Sequence, residues 1–176
     1  MERSKSDIEK VRKVPMSKQL LVDLLETIGY IYETGVTAHR SKLSWPREMQ
    51  NHAERQAYMR KIRLLEKSKQ LQLIKEGNEV FYQITTKGRL EAIKTVILTK
   101  DQYLPDGDFC LVIFDIPEDI RKVRWAFRDL LKRAEFYQVQ KSVWESDREV
   151  VEEIRELVKA LKIDKYVKVY RANGER

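Results

Sequence analysis

The sequence has few of the residues that mark secreted, membrane-spanning or zinc-dependent proteins. It contains one cysteine, two histidines, six glycines and four prolines among 176 residues. A single cysteine cannot form a disulfide within the chain, and no zinc-ligand spacing is present. No run approaches the roughly 20 apolar residues that span a bilayer, and residues 1–16 are charged, without an apolar signal segment. We therefore expect a cytoplasmic protein without membrane contact, in which Cys110 is a small buried hydrophobe.

The excess positive charge is confined to the first part of the chain. Residues 1–100 contain 20 Lys/Arg and 12 Asp/Glu, a net charge of +8, whereas residues 101–176 contain 15 and 16, a net charge of −1. Phosphate backbones demand a basic surface, although solvated lysine-rich faces are also common in proteins that bind no nucleic acid. The division indicates a module that binds polyanions, followed by a near-neutral module.

Apolar spacing before residue 100 predicts a winged helix-turn-helix. Ser17 is placed to cap a first amphipathic helix, and residues 48 to about 69 form a second, basic helix. Two strand-like runs, 71–76 and 79–85, flank the two-residue loop Gly77-Asn78, which is typical of a hairpin, and a further helix follows. We expect a winged-helix domain over residues 17–100, preceded by a flexible basic arm at residues 1–16.

The acidic, turn-forming stretch 101–108 predicts a linker, and the pattern after it predicts a ferredoxin-like βαββαβ domain over residues 109–176. The whole chain is therefore expected to be α+β. The predicted elements after the linker are strand 109–114, helix 120–134, one or two strands within 136–146, helix 150–161 and strand 166–170.

Three sequence elements carry a resemblance to a known family. They are Leu111-Val-Ile-Phe-Asp-Ile-Pro-Glu118, the helical Arg124 and Arg128, and Phe136-Tyr-Gln-Val-Gln-Lys-Ser-Val-Trp-Glu145. Together they resemble the central domain of the PaaX family of transcriptional repressors and the small CRISPR-associated adaptation nucleases that share its fold. The resemblance covers about residues 17–170, because that family also places a winged helix before this domain. It implies a sequence-specific repressor that binds double-stranded DNA as a homodimer held together by its ferredoxin-like domains.

The sequence departs from the family pattern in two ways. PaaX-like regulators usually continue into a further C-terminal domain, which we do not expect here, so the acyl-coenzyme A ligand of the family's phenylacetate regulators is not carried over. The small-molecule effector is left unassigned. In addition, Glu135 stands where a glycine often precedes the second strand.

The exposed face of the basic helix is the predicted DNA-reading surface. Gln56 suits adenine edges, and Arg60 and Arg63 suit guanine edges or phosphates. The wing and the start of the following helix place further polar groups near flanking phosphates, although ordinary solvated surface is the alternative interpretation. The predicted DNA-binding residues are His52, Gln56, Arg60, Arg63, Lys67, Lys75, Asn78, Lys87 and Arg89.

Asp115 carries the competing, catalytic prediction. The related nucleases bear a metal-binding aspartate at this position, and two such carboxylates across a dimer would hold Mg²⁺ and activate water for phosphodiester cleavage. The alternative, which we favour, is that Asp115 caps the helix that starts near Glu118. The regulator then needs no cofactor and the nuclease needs Mg²⁺. A structural adaptor that binds DNA regardless of sequence is a third class.

Overall fold

The computed structural model of the protein describes residues 18–20, 22–23, 41–42, 52–76 and 79–174. It contains a three-stranded and a four-stranded sheet together with α-helices, which confirms the α+β class. The predicted arm at 1–16, most of the first predicted helix and the loop Gly77-Asn78 lie outside the described residues. Residues 18–20 and 22–23 are helical.

The first sheet is built on the predicted hairpin. The hairpin pairs antiparallel from Leu71↔Ile84 to Glu76↔Glu79, and a short strand at 41–42 pairs with its second strand. The basic helix, the hairpin and the closing helix are thus confirmed, and the described part of the basic helix runs from His52 to Lys67. The elements are β1 (Ser41–Lys42), α1 (His52–Lys67), β2 (Leu71–Glu76), β3 (Glu79–Ile84) and α2 (Thr86–Thr99).

Helix α1 packs through Ile62 and Leu65, which are buried. The helical spacing of Ala57, Lys61, Leu64 and Leu65 predicts Leu64 on the packed side of this helix, but its side chain is 58% exposed. Ile62 and Leu65 are three residues apart and therefore share a helix face, while Leu64, two residues after Ile62, points about 160° away from it around the helix axis. The prediction for Leu64 was therefore wrong.

Helix α2 belongs to two hydrophobic cores. Ala92 packs in the small core with Ile62 and Leu65 of α1. Ile93 and Ile97, on a neighbouring face of the same helix, are buried in the large core of the second sheet. Because one helix completes both cores, the first and second parts of the chain pack directly against each other.

The second sheet has the strand order of a ferredoxin-like fold. Its strands run β5-β6-β4-β7, and every neighbouring pair is antiparallel. Of the two alternatives for residues 136–146, the structure shows two strands. The elements are β4 (Asp108–Phe114), a 3-10 turn (Glu118–Ile120), α3 (Arg121–Arg133), β5 (Tyr137–Gln140), β6 (Val143–Ser146), α4 (Val151–Ala160) and β7 (Val167–Asn173).

The large core lies between one face of this sheet and helices α3 and α4. Cys110, Val112 and Phe114 alternate inward along β4, and the ring of Phe114 meets that of Phe127 edge to face at 5.6 Å. Cys110 is fully buried, and burial raises the pKa of its thiol to about 12. The expectation that Cys110 is a small buried hydrophobe is confirmed.

The segment predicted as a linker, residues 101–108, contacts the residues that connect β6 to α4. Leu104 is buried, and its N–H donates to the carbonyl oxygen of Asp147 at 2.7 Å. Tyr103 forms an antiparallel bridge with Arg148. The predicted domain limits at residues 100 and 109 stay a prediction, and the residues between them are structured.

Glu135 ends α3 in the left-handed backbone conformation, with φ of 66°. The N–H of Phe136 donates to Leu131 at 3.0 Å and that of Glu135 to Lys132 at 3.1 Å, the two bonds of a Schellman motif. This geometry explains why glycine is frequent at this position in the PaaX family, since glycine adopts a positive φ without steric cost.

Glu135→Gly is expected to raise the free energy of unfolding by about 0.5–1 kcal/mol, because relief of the left-handed strain exceeds the added freedom of the unfolded chain. Urea denaturation measures this change. As a control, Lys132→Gly introduces glycine inside α3 and should lose about 1 kcal/mol. Equal destabilisation by both substitutions would contradict the strain argument.

Candidate nucleic-acid interface

One exposed face of α1 gathers most of the predicted DNA-binding residues. His52, Gln56, Arg60 and Arg63 are exposed and follow one another at spacings of four, four and three residues, which places them on a single helix face. Lys67 continues the row by four residues in the last turn and is also exposed. The buried residues of α1 belong to a different face, so this row is turned away from the core.

The same face contains two residues to which the sequence pattern gave no role. An open groove is lined by His52, Arg55, Gln56, Met59, Arg60 and Arg63. Helical spacing predicts Met59 on the side of His52 and Arg60 but assigns it no function, and Arg55 is not among the predicted residues. Its position three residues after His52 was the signal, because residues at i and i+3 are neighbours on a helix surface.

The hairpin directly follows this helix. The N–H of Gln70 donates to the carbonyl oxygen of Leu65 at 2.8 Å, and β2 begins at Leu71. Lys75 lies in β2, where its backbone pairs with Val80. Asn78, at the predicted tip of the wing, lies outside the described residues.

Lys87 and Arg89 are held by protein acceptors rather than brought into the groove on α1. The ammonium group of Lys87 donates to the carbonyl oxygen of Ser68 at 2.8 Å, just beyond the end of α1. The guanidinium group of Arg89 binds the Glu156 carboxylate of α4 at 2.7 Å. In this structure both cations bond to neighbouring elements, and their contact with DNA stays a prediction.

Ion pairs and a buried arginine fix α2 against the second part of the chain. Lys100 binds Glu153 at 2.7 Å, one turn of α4 away from the pair between Arg89 and Glu156. The guanidinium group of Arg148, which is buried, donates to the carbonyl oxygens of Lys100 and Ala134. Because α2 also completes the core under α1, these contacts set the position of the basic face on the molecule.

Asp115 is exposed at the end of β4, and its N–H donates to the carbonyl oxygen of Tyr166 at 2.9 Å. The prediction that its side chain caps the following helix was wrong. A 3-10 turn intervenes, and the N-terminal caps are Pro117 for the turn and Ile120 for α3, neither with a side-chain hydrogen bond. Within the described residues, no group of three or more His, Cys, Asp and Glu is placed to hold a metal ion.

The two edges of the second sheet differ. On the β7 edge, the guanidinium group of Arg155 donates to the carbonyl oxygen of Val169 at 3.0 and 3.2 Å, which occupies an edge acceptor. On the β5 edge all four residues are exposed, including Tyr137 at 51% and Val139 at 55%. The β5 edge is therefore the more open of the two to another chain.

The second part of the chain matches a known protein family. Residues 103–176 match the family model of the PaaX protein central Cas2-like domain. The resemblance to the central domain of the PaaX family is confirmed over these residues. The matched segment contains β4 to β7 with α3 and α4, so we call it the Cas2-like unit; α1, the hairpin and α2 precede it. No curated protein matches the sequence. None of the helices described here is long and apolar enough to cross a bilayer.

Proposed function

We propose that this protein is a PaaX-like transcriptional repressor that binds double-stranded DNA sequence-specifically, with α1 as the recognition helix of a winged helix. The basic face of α1 carries the proposal, because it precedes a hairpin in a chain whose next unit is of the PaaX type. Sheet order β1-β3-β2, in which a short strand pairs with the second strand of the hairpin, supports the winged helix.

The side chains on α1 match the chemistry of a major groove. An α-helix fits the roughly 12 Å width of that groove, where arginine reads guanine O6 and N7 and glutamine reads adenine N6 and N7. Arg60, Arg63 and Gln56 supply those groups. His52 and Lys67, at the two ends of the row, reach toward the phosphates that fix the helix in register.

The double substitution Arg60→Ala, Arg63→Ala is expected to weaken DNA binding by about tenfold or more. It should also flatten the dependence of log affinity on log salt by about one unit for each phosphate that is no longer neutralised. Fluorescence anisotropy at several salt concentrations measures both quantities. Arg121→Ala with Arg133→Ala removes two exposed arginines of α3 as a matched control. Unchanged affinity and slope in the α1 variant would remove both residues from the interface.

The experiment that tests the function compares two duplexes, one from the gene's own upstream region and one of scrambled sequence. Binding is measured at two salt concentrations with Mg²⁺ present, and the DNA is then run on a denaturing gel. Preferential binding of intact native DNA supports the repressor. Cleavage that Asp115→Ala abolishes would establish the nuclease instead, and equal affinity for both duplexes would establish the adaptor.

The proposal includes a homodimer, formed through the Cas2-like units, that presents two α1 helices to two half-sites. The open β5 edge supports it, since pairing with a second copy would cover that edge. The two-fold symmetry of such a dimer would match an operator with two inverted half-sites.

Val139→Lys, on the exposed β5 edge, is expected to shift the protein from dimer to monomer at micromolar concentration, because it places a charge where the two edges would meet. Sedimentation velocity measures the shift, and affinity for a duplex with two half-sites should fall by about tenfold or more as bivalency is lost. Tyr170→Lys, at a residue 48% exposed on β7, is the control and should stay dimeric. A monomeric unsubstituted protein would contradict the proposal.

A further inference from the structure

A groove lies where α2, α3 and α4 meet. Its floor contains Phe127 and Leu130 of α3 and Leu157 of α4, all of which are buried. Its volume is about 350 Å³, which lies within the range of roughly 300–1,000 Å³ found for small-molecule sites. The groove is separate from the α1 face and from the sheet edges, and its lining includes none of the residues proposed to bind DNA.

The rim of the groove is predominantly cationic. Lys94 of α2 and Lys122 and Arg133 of α3 line it, with Asp129 as the acidic member, so the ionisable lining residues sum to a charge of +2. Asp129 is 3.7 Å from Arg133, a long and exposed ion pair, and Lys94 binds Glu91 at 3.0 Å. Within residues 101–176, the charged lining residues Lys122, Asp129 and Arg133 sum to +1, whereas that whole segment carries a charge of −1.

An apolar floor beneath a cationic rim is complementary to one class of small molecule. The tail of an aliphatic or aromatic carboxylate would cover the floor, while its carboxylate would pair with the rim cations and stay at the solvent boundary. A neutral apolar molecule would bring no anionic group to the net positive rim, and a small inorganic anion would leave the floor uncovered.

We propose that this groove binds a small carboxylate with an apolar tail, and that occupancy changes the affinity of α1 for DNA. Helix α2 contributes Lys94 to the lining of the groove and also supplies Ala92 to the core under α1. A ligand that shifts α2 relative to α3 therefore perturbs the packing that positions the basic face. The coupling rests on the proposed DNA-binding function, whereas binding to the groove does not.

Isothermal calorimetry with octanoate tests the site, with 1-octanol as the neutral analogue. Octanoate should bind one to one and more tightly than octanol. Ala126→Trp, at an exposed residue lining the groove, should fill the apolar space and weaken octanoate about tenfold or more. Equal affinities for the acid and the alcohol, or an Ala126→Trp variant that is folded by circular dichroism and binds octanoate normally, would overturn the site.

A matched pair of charge reversals tests the rim without touching the core. Lys122 lines the groove and Lys132 does not, yet both are exposed lysines of α3. Lys122→Glu should weaken octanoate about fivefold and leave octanol unchanged, whereas Lys132→Glu should change octanoate affinity less than about twofold. An equal loss in both variants would mean that octanoate responds to overall charge, which would overturn the assignment.

Coupling is measured by titrating the upstream duplex with and without saturating octanoate. DNA affinity should change, and DNA should change octanoate affinity by the same factor, because linkage between two sites is reciprocal. Octanoate binding with unaltered DNA affinity would overturn the coupling. Absence of DNA binding under all conditions would contradict the proposed function instead, while the calorimetry would still decide the groove.

Discussion

Arg148→Leu is expected to lower the free energy of unfolding by about 3 kcal/mol or more. The side chain is 4% exposed, and its guanidinium group donates to the carbonyl oxygen of Ala134 at 3.1 Å and to that of Lys100. These carbonyls belong to the C-terminal cap residues of α3 and α2. Leucine would leave both acceptors buried without this donor and would remove a cation from two negative helix ends.

The same substitution should loosen α2 from the Cas2-like unit, because Arg148 bonds to the residue that ends α2. Because the third tryptophan of the chain, Trp45, precedes that unit, urea unfolding is followed in a Trp45→Phe background, where the fluorescence comes from Trp125 and Trp144 alone. Arg148→Lys should show an intermediate loss, since the single ammonium nitrogen of a shorter side chain cannot span both carbonyls as a planar guanidinium does.

Arg133→Leu is the control for these measurements. Its side chain is 58% exposed and lies 3.7 Å from Asp129, so we expect a loss below about 0.5 kcal/mol. If Arg148→Leu lowered the free energy of unfolding no more than this control does, the bonds from Arg148 to the two helix ends would not stabilise the fold.

The Cas2-like unit was the part of the fold most predictable from sequence. The continuous apolar run at 109–114 and the wide apolar stripes of the helices 121–133 and 151–160 have only one reasonable secondary structure each. The predicted limits of those three elements agree with the observed ones within one or two residues. Strong periodicity fixes such elements locally, because burial of the apolar stripe decides their orientation.

Helix α1 shows what periodicity could not decide. Apolar residues stand at 62, 64 and 65, so two overlapping stripes were consistent with the sequence. The choice depends on what packs against the helix, and Leu20, Leu71 and Ala92 come from three other segments. Tertiary contacts therefore place Ile62 in the core and leave Leu64 in solvent. The local sequence pattern alone does not determine this choice.

The candidate site divides in the same way. The α1 row was predictable because helical spacing alone brings its members together. The contacts of Arg89 were not, since Glu156 lies 67 residues further along the chain. The capping role of Asp115 was wrong because the 3-10 turn at 118–120 moves the start of α3 beyond the reach that the sequence suggested.

Gly88→Ala is expected to lower the free energy of unfolding by about 3 kcal/mol, at the upper end of the cost of overpacking. Gly88 lies in the first turn of α2, and a Cβ atom there would be 2.1 Å from the carbonyl oxygen of Gln70 and 2.9 Å from Cγ1 of Ile84. The Gln70 carbonyl is backbone and already accepts the N–H of Thr85 at 3.0 Å, so it cannot move without breaking that bond.

The substitution should therefore separate α2 from the end of α1 and weaken DNA binding together with stability. Gly174→Ala is the matched control, because its Cβ would meet only Phe109 at an ordinary 3.9 Å, and it should be nearly neutral. Far-ultraviolet circular dichroism during urea unfolding measures the loss, and amide hydrogen exchange locates it. Exchange that quickens in α1 and β2 before the Cas2-like unit would place the damage at this contact, whereas uniform quickening or a neutral variant would contradict it.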